Sequence, residues 1–204
     1  MTGGDGVTYL FDPGSFCLEL LLTGGPPPWD RHEILHTPAD LTGWLTGSRL
    51  ALGQPLGADD LRIRPAELRR VRELRDALWR AVPAVIRGDL PAAGDVAVIN
   101  AGAGEPPRTR LDPATGVRDW AAPVTGTQVL GAAAREAIEL LGTDLSSRVR
   151  QCEGVRCYLI FLDTSRPGNR RWCSMQRCGN RHKVNSYRRR QPGREPDGWD
   201  TRRP

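Results

Sequence analysis

The sequence predicts an α+β protein: a mainly helical N-terminal domain with a short hairpin, followed by a small C-terminal unit built round cysteines. Three observations predict it. Apolar residues recur at helical spacing over two long stretches. Turn formers are plentiful, with 23 glycines and 17 prolines in 204 residues, so loops must separate those stretches. Four of the five cysteines fall in two matching pairs near the C-terminus.

In chain order, Phe11, Phe16, Leu18, Leu20 and Leu22 form an apolar opening segment. Within it Ser15–Leu22 reads equally as a strand or a helix start. Gly24–Pro28 interrupts the pattern. Thr37-Pro38-Ala39-Asp40 then has the composition of a helix start, with Thr37 as N-cap, Pro38 at the first helical position and Asp40 three residues after the cap. The clearest helix is Pro65–Ile86, where Leu68, Val71, Leu74, Leu78 and Val82 make one apolar stripe and Arg69, Arg70, Arg72, Glu73 and Asp76 lie off it. Pro83 is expected to kink or shorten its end. Asp89–Asn100 reads as a short helix around Val96 and Ile99, and Thr109–Leu111 with Val117–Ala121 as a hairpin. Thr127–Leu141 is helical and apolar, with Gly142 as its stop. A short β-prone run, Tyr158–Leu162, and a helix from Gly179 to about Arg190 complete the expectation.

Charge divides the chain. Residues 1–147 carry 14 Arg and Lys against 19 Asp and Glu, whereas residues 148–204 carry 15 against 5. The formal net charge of +5 is therefore −5 on the first part and +10 on the second. A body of one sign joined to a strongly basic end suits contact with a polyanion. Lys183 is the one lysine, and all other cations are arginine, whose planar fork matches phosphate and guanine.

Cys152 and Cys157 are separated by four residues, as are Cys173 and Cys178, and fifteen residues lie between the pairs. Thiolates at such intervals can surround one Zn²⁺ ion tetrahedrally, with the spacer folded as a hairpin. A site of cysteines alone leaves no open coordination position, so it is structural and not catalytic. Its charge of −2 would be offset by Arg156, Arg170, Arg171, Arg177 and Arg181. His182 is a fifth candidate ligand, more naturally a surface residue, and Cys17 reads as a buried core thiol. Knuckle, hairpin, second knuckle and helix suggest a treble-clef-like arrangement, with Asn180 capping the helix and Gly179 turning the chain at the metal. Arg181, Lys183, Asn185, Tyr187, Arg188 and Arg190 on that helix are the candidate nucleic-acid contacts. Asp163 is expected to pair with Arg166 or Arg171, and Trp172 to pack the small core.

The runs Cys157-Tyr-Leu-Ile-Phe-Leu-Asp163-Thr-Ser165-Arg166, Arg170-Arg171-Trp172-Cys173-Ser174-Met175 and Cys178-Gly179-Asn180-Arg181 closely resemble the CGNR zinc-finger family, named for that tetrapeptide. The resemblance covers about forty residues and extends through Lys183, Tyr187, Arg188 and Arg190 into the family's basic helix. It implies an N-terminal ABATE domain, in a family described as candidate stress-induced transcription regulators. Arg31, Leu35, Pro38, Leu41, Trp44, Leu45 and the helix around Arg72–Leu78 fit that domain. The Leu-Asp-Phe-Val-Asn-Thr-like opening of the family is here Leu18-Glu19-Leu20-Leu21-Leu22-Thr23, so a leucine stands where relatives have asparagine.

The resulting expectation is an ABATE-like, ligand-sensing domain over residues 1–147, a zinc finger over 148–192 and a disordered tail over 193–204. The protein would be a bacterial, cytoplasmic regulator that binds DNA, responds to a small-molecule effector, holds one structural zinc and can pair as a homodimer. The alternative is a small-molecule-binding protein or enzyme with the zinc unit as scaffold. His32-Glu33-Ile34-Leu35-His36 matches the H-E-x-x-H pattern of zinc peptidases. It lies between Pro28 and Pro38, with too little room for the long helix such a site needs, so no catalytic residues are expected. The N-terminal MTGGDG lacks a basic segment, and the apolar run Leu18–Leu22 is far too short to span a bilayer.

Overall fold

The computed structural model describes residues 9–190, with side chains through Tyr187. The expected tail at 193–204 and the side chains of Arg188 and Arg190 lie outside the described residues.

The opening segment resolves as helix: α1, Phe16–Glu19, continues as a 3₁₀ turn over Leu20–Thr23. Cys17, Leu18 and Leu20 are fully buried there, and burial pushes the Cys17 thiol up, leaving it an inert core residue. Helix α2, Pro38–Thr46, starts as its sequence requires: Asp40 N–H donates to Thr37 Oγ1, and the Asp40 carboxylate accepts the Thr37 N–H at 2.7 Å.

The body is organised by α3, Pro65–Ile86, with α4, Ala93–Gly102, and α5, Gly126–Gly142, packed on it and on each other. Leu68, Val71, Leu74, Leu78 and Val82 of α3 meet Val129, Leu130, Ala133 and Ala137 of α5 in one core. Each of the larger side chains contributes about 1.5–3 kcal/mol by leaving water. Pro83 does not end α3. It lies in the last turn, where its missing N–H deprives the helix of a single bond, and its carbonyl still accepts from Arg87. Gly142 is the last residue of α5 and not a residue beyond it; Thr143 is the cap.

Short strands pin the helices. β1, Leu61–Arg62, pairs in parallel with β4, Val124–Thr125, so α3 and α5 begin side by side. Glu67 locks that join. Its carboxylate accepts from the Arg64 N–H at 2.8 Å and guanidinium at 2.9 Å, and from Thr127 Oγ1 at 3.0 Å. Gly126 is required beside it, because a Cβ there would lie 2.6 Å from Glu67 Cβ. The expected hairpin is β2, Thr109–Leu111, against β3, Arg118–Trp120.

A third pair, β5 (Val149–Gln151) and β6 (Ile160–Leu162), opens the cysteine unit and lies against α1 and α3. Val149 and Ile160 belong to the body's core, whereas Phe161 on the opposite face joins Tyr9, Phe11, Cys152, Cys173 and Cys178 in a second cluster. Period-two alternation thus makes β6 a two-sided wall. The chain before α1 covers the outer face, held by Leu162 N–H to Pro13 O at 2.8 Å.

Burial alone would raise the Glu67 carboxyl, but the bonds from Arg64 and Thr127 outweigh it and lower it to about 2. A depressed carboxyl contributes stability that is present above its unfolded value of 4.5 and lost as pH falls through about 2. Glu67→Gln should therefore cost about 1–3 kcal/mol at pH 7 and show a smaller further loss than the wild type between pH 4.5 and 2. Urea midpoints across that range check it.

Candidate metal centre and its basic helix

The turn after β5 carries the first two cysteines. Cys152 N–H donates to Leu159 O at 2.9 Å, extending the hairpin, and Cys157 N–H donates to Gly154 O at 2.9 Å, closing the knuckle. Gly154 has to be glycine: a Cβ would stand 2.7 Å from Cys178 Sγ. The N–H groups of Gly154 and Cys173 point at Cys152 Sγ from 3.4 and 3.2 Å, which favours a thiolate. The second knuckle follows Trp172 and is tied to the first by Glu153 N–H to Arg171 O at 3.0 Å. Ser174 caps its turn, accepting from Gln176 N–H, and Gly179 N–H closes it on Ser174 O.

The four Sγ atoms of Cys152, Cys157, Cys173 and Cys178 lie within 4.8 Å of one another. Cys157 and Cys173 are 3.8 Å apart, and Cys173 and Cys178 are 3.6 Å apart. Zn–S bonds of about 2.3 Å in a tetrahedron set sulfur atoms about 3.8 Å apart, so the donor set and its spacing fit one zinc ion. Among the described residues this is the only group of His, Cys, Asp or Glu with metal-binding geometry. His182 takes no part: its exposed ring lies 4.7 Å from the Trp172 ring.

Asp163 departs from expectation. It is fully buried and meets neither Arg166 nor Arg171; it accepts backbone N–H bonds from Ser165 at 2.9 Å and Arg170 at 2.7 Å. Burial would raise its carboxyl, but these bonds outweigh it and hold it below the usual range. A carboxylate that satisfies two amides braces the spacer more firmly than one exposed ion pair could. Arg171 pairs instead with Glu153 at 2.5 Å. Arg170 turns inward, donating to Cys173 O and lying 4.1 Å from the Phe161 ring centre.

Helix α6, Asn180–Arg190, leaves the second knuckle. A five-residue π-helical turn, Met175–Gly179, precedes it, so Asn180 is already helical (φ −66°, ψ −41°) and Ser174 supplies the cap expected from Asn180. Gly179 is not in left-handed backbone, and a Cβ there would meet the flexible end of the half-exposed Met175 side chain, 2.6 Å from its Sδ, so the turn does not demand the glycine expected of it. Arg181, Lys183, Asn185 and Tyr187 are all exposed. They do not form one stripe. Arg181 and Asn185 line a small recess against Glu153 and Trp172 of the knuckles, while residues two positions on, Lys183 and Tyr187, lie about 200° round the helix on the outer side.

Comparison with known families gives two matches. A model described as "Putative stress-induced transcription regulator" (ABATE) matches residues 14–144. The chain belongs to the ABATE family. A CGNR zinc-finger model matches residues 148–191, taking in all four cysteines and α6. Among curated proteins nothing matches.

The ABATE portion holds a buried ion pair that periodicity alone passes over. Arg75, 1% exposed, donates to both Glu33 oxygens at 2.9 and 2.7 Å and reaches Thr23 O and Oγ1. Burial would raise Glu33, but the Arg75 bonds outweigh it and hold its carboxyl below the usual range. The signal was present in the stripe: position 75 follows Val71 by four and precedes Val82 by seven, which places an arginine among the apolar residues. Glu33 is thereby spent on structure. It is extended (φ −61°, ψ 126°), with His32 ending a 3₁₀ turn, so His32 and His36 share no helical face. No helix among the described residues is long and apolar enough to cross a membrane.

One zinc per chain should be found by native mass spectrometry. Stripping it, or replacing Cys173 with alanine, should remove amide-exchange protection from residues 149–178. The loss should extend to residues 9–13, because Tyr9 and Phe11 pack on the cysteines. Protection in α3 and α5 should persist.

Proposed function

We propose that the protein is a bacterial, cytoplasmic, DNA-binding transcription regulator whose zinc finger presents α6 to the duplex and whose ABATE domain senses a small-molecule effector. The observation that carries the reading is the exposed side of α6, projecting from a rigid metal knuckle in the part of the chain that bears +10 of formal charge. The family description supports it independently.

Affinity would come from phosphate neutralisation and be strongly salt-dependent. Lys183 and Tyr187 lie on the outer side and meet the nucleic acid first, with Arg188 and Arg190 continuing the helix. Arg181 and Asn185, at the knuckle recess, contact it from the other edge. Base reading falls to the arginines or Asn185, since only groove contacts carry sequence information. The zinc centre holds these side chains and takes no part in chemistry, and the reading assigns no catalytic role to the ABATE domain.

Titration of duplex DNA by fluorescence anisotropy, repeated at several salt concentrations, tests the assignment. Lys183→Ala should weaken binding of all sequences similarly and reduce the salt slope by about one. Tyr187→Ala should weaken it without changing the slope. Equal affinity for wild type and both variants, at an unchanged slope, would exclude α6 as the contact surface.

A further inference from the structure

A cavity of about 850 Å³ lies between the ABATE domain and the first zinc knuckle. Its size is in the range of sites for small organic ligands. On the body side stands Trp29, stacked on Trp79 of α3 with ring centres 4.9 Å apart and planes at 15°. On the finger side Tyr158, directly after the ligand Cys157, meets the same Trp29 ring at 4.7 Å and 58°. One indole therefore bridges the two parts of the chain. Leu21, Leu22, Leu159 and Ile160 add apolar wall.

Cations converge on this aromatic strip. Arg31 comes from the body, and Arg156 and Arg177 come from the two knuckles. Arg177 is fixed in place, its Nη1 donating to Tyr9 OH at 2.8 Å over the Tyr9 ring. Neither Arg31 nor Arg156 meets a carboxylate among the described residues; Arg31 Nε lies 3.2 Å from the neighbouring His32 ring nitrogen. Arg156 is held at φ 58°, the one described non-glycine residue in left-handed backbone, a conformation that is unfavourable for a side-chain-bearing residue and concentrates at functional sites. Glu33, the one carboxylate in the lining, is already neutralised by Arg75. A zinc tetrathiolate carries −2, which Arg170 also offsets from the other side of Cys173, so the lining keeps a net positive charge that suits an anionic group.

We propose that this cleft is the effector site and that it takes a planar aromatic molecule bearing one anionic group, the ring lying on Trp29 and Tyr158 and the anion meeting Arg31 and Arg156. The assignment rests on the effector-sensing part of the functional reading and is independent of DNA binding. A ligand so placed touches the body and the Arg156–Tyr158 segment at once, so its binding energy holds the knuckle against the body.

A matched pair of probes separates ring from charge: 8-anilinonaphthalene-1-sulfonate and its uncharged parent N-phenyl-1-naphthylamine, titrated into the zinc-loaded full chain without DNA. The sulfonate should bind one per chain, at least tenfold tighter than the parent. Arg31→Gln and Arg156→Gly, the latter compatible with positive φ, should each reduce sulfonate affinity about tenfold while zinc content stays at one. Bound sulfonate should also slow zinc transfer to a chelator several-fold. Equal affinity for both probes, indifference to both arginines, or binding that leaves zinc transfer unchanged would overturn the proposal. Loss of DNA binding with these results intact would overturn the regulator reading alone.

Discussion

Four thiolates can share one small ion only if two separate knuckles are held within a few ångströms, and that constraint shapes the C-terminal quarter. The segment has little apolar material of its own. Phe161 is its one large, fully buried aromatic among the described residues, and the cysteines themselves form much of the second core. The zinc centre supplies cohesion that burial cannot, on the order of 10 kcal/mol in comparable small modules. The body supplies the rest: Val149 and Ile160 anchor the hairpin in the main core, while Tyr9 and Phe11 close over the other face.

The body depends in turn on polar groups buried in pairs. Arg75 and Glu33 fasten the loop after α1 to the middle of α3, and Glu67 joins the starts of α3 and α5. Removing either partner of the Arg75–Glu33 pair leaves a charge with little access to solvent, which typically costs about 3–5 kcal/mol. Glu33 positions the segment that carries Trp29, and Trp29 is where the body touches Tyr158 of the finger. A chain of contacts therefore runs from the core of α3 through one indole to the residue beside a zinc ligand.

Much of this was legible in the residues. Periodicity located α3 to its terminal residues, Thr37 and Asp40 located α2, and cysteine spacing located the metal. What escaped has a common physical cause. Arg75 is charged in a buried stripe because its partner lies 42 residues away, a distance no local pattern reports. Tyr9 and Phe11 belong to a core whose other members lie beyond residue 150. Asp163 is held by two backbone amides in place of an arginine, and no side-chain pattern in the sequence reports an amide partner. Asn180 looked like a cap because the π-helical turn that displaces it to Ser174 follows from knuckle geometry, not from propensity. Charge and the family resemblance point to the candidate DNA contacts as one set, and helical geometry divides them between a recess and an outer side.

The central claim is that the metal knuckles exist to present α6 to DNA. Selection of genomic fragments by the full chain, run in parallel with zinc-loaded and zinc-stripped protein, tests it most directly. The account predicts a discrete set of enriched fragments with zinc and none without it. Enrichment that survives complete removal of the metal, or no enrichment by the loaded protein even at low salt, would contradict it.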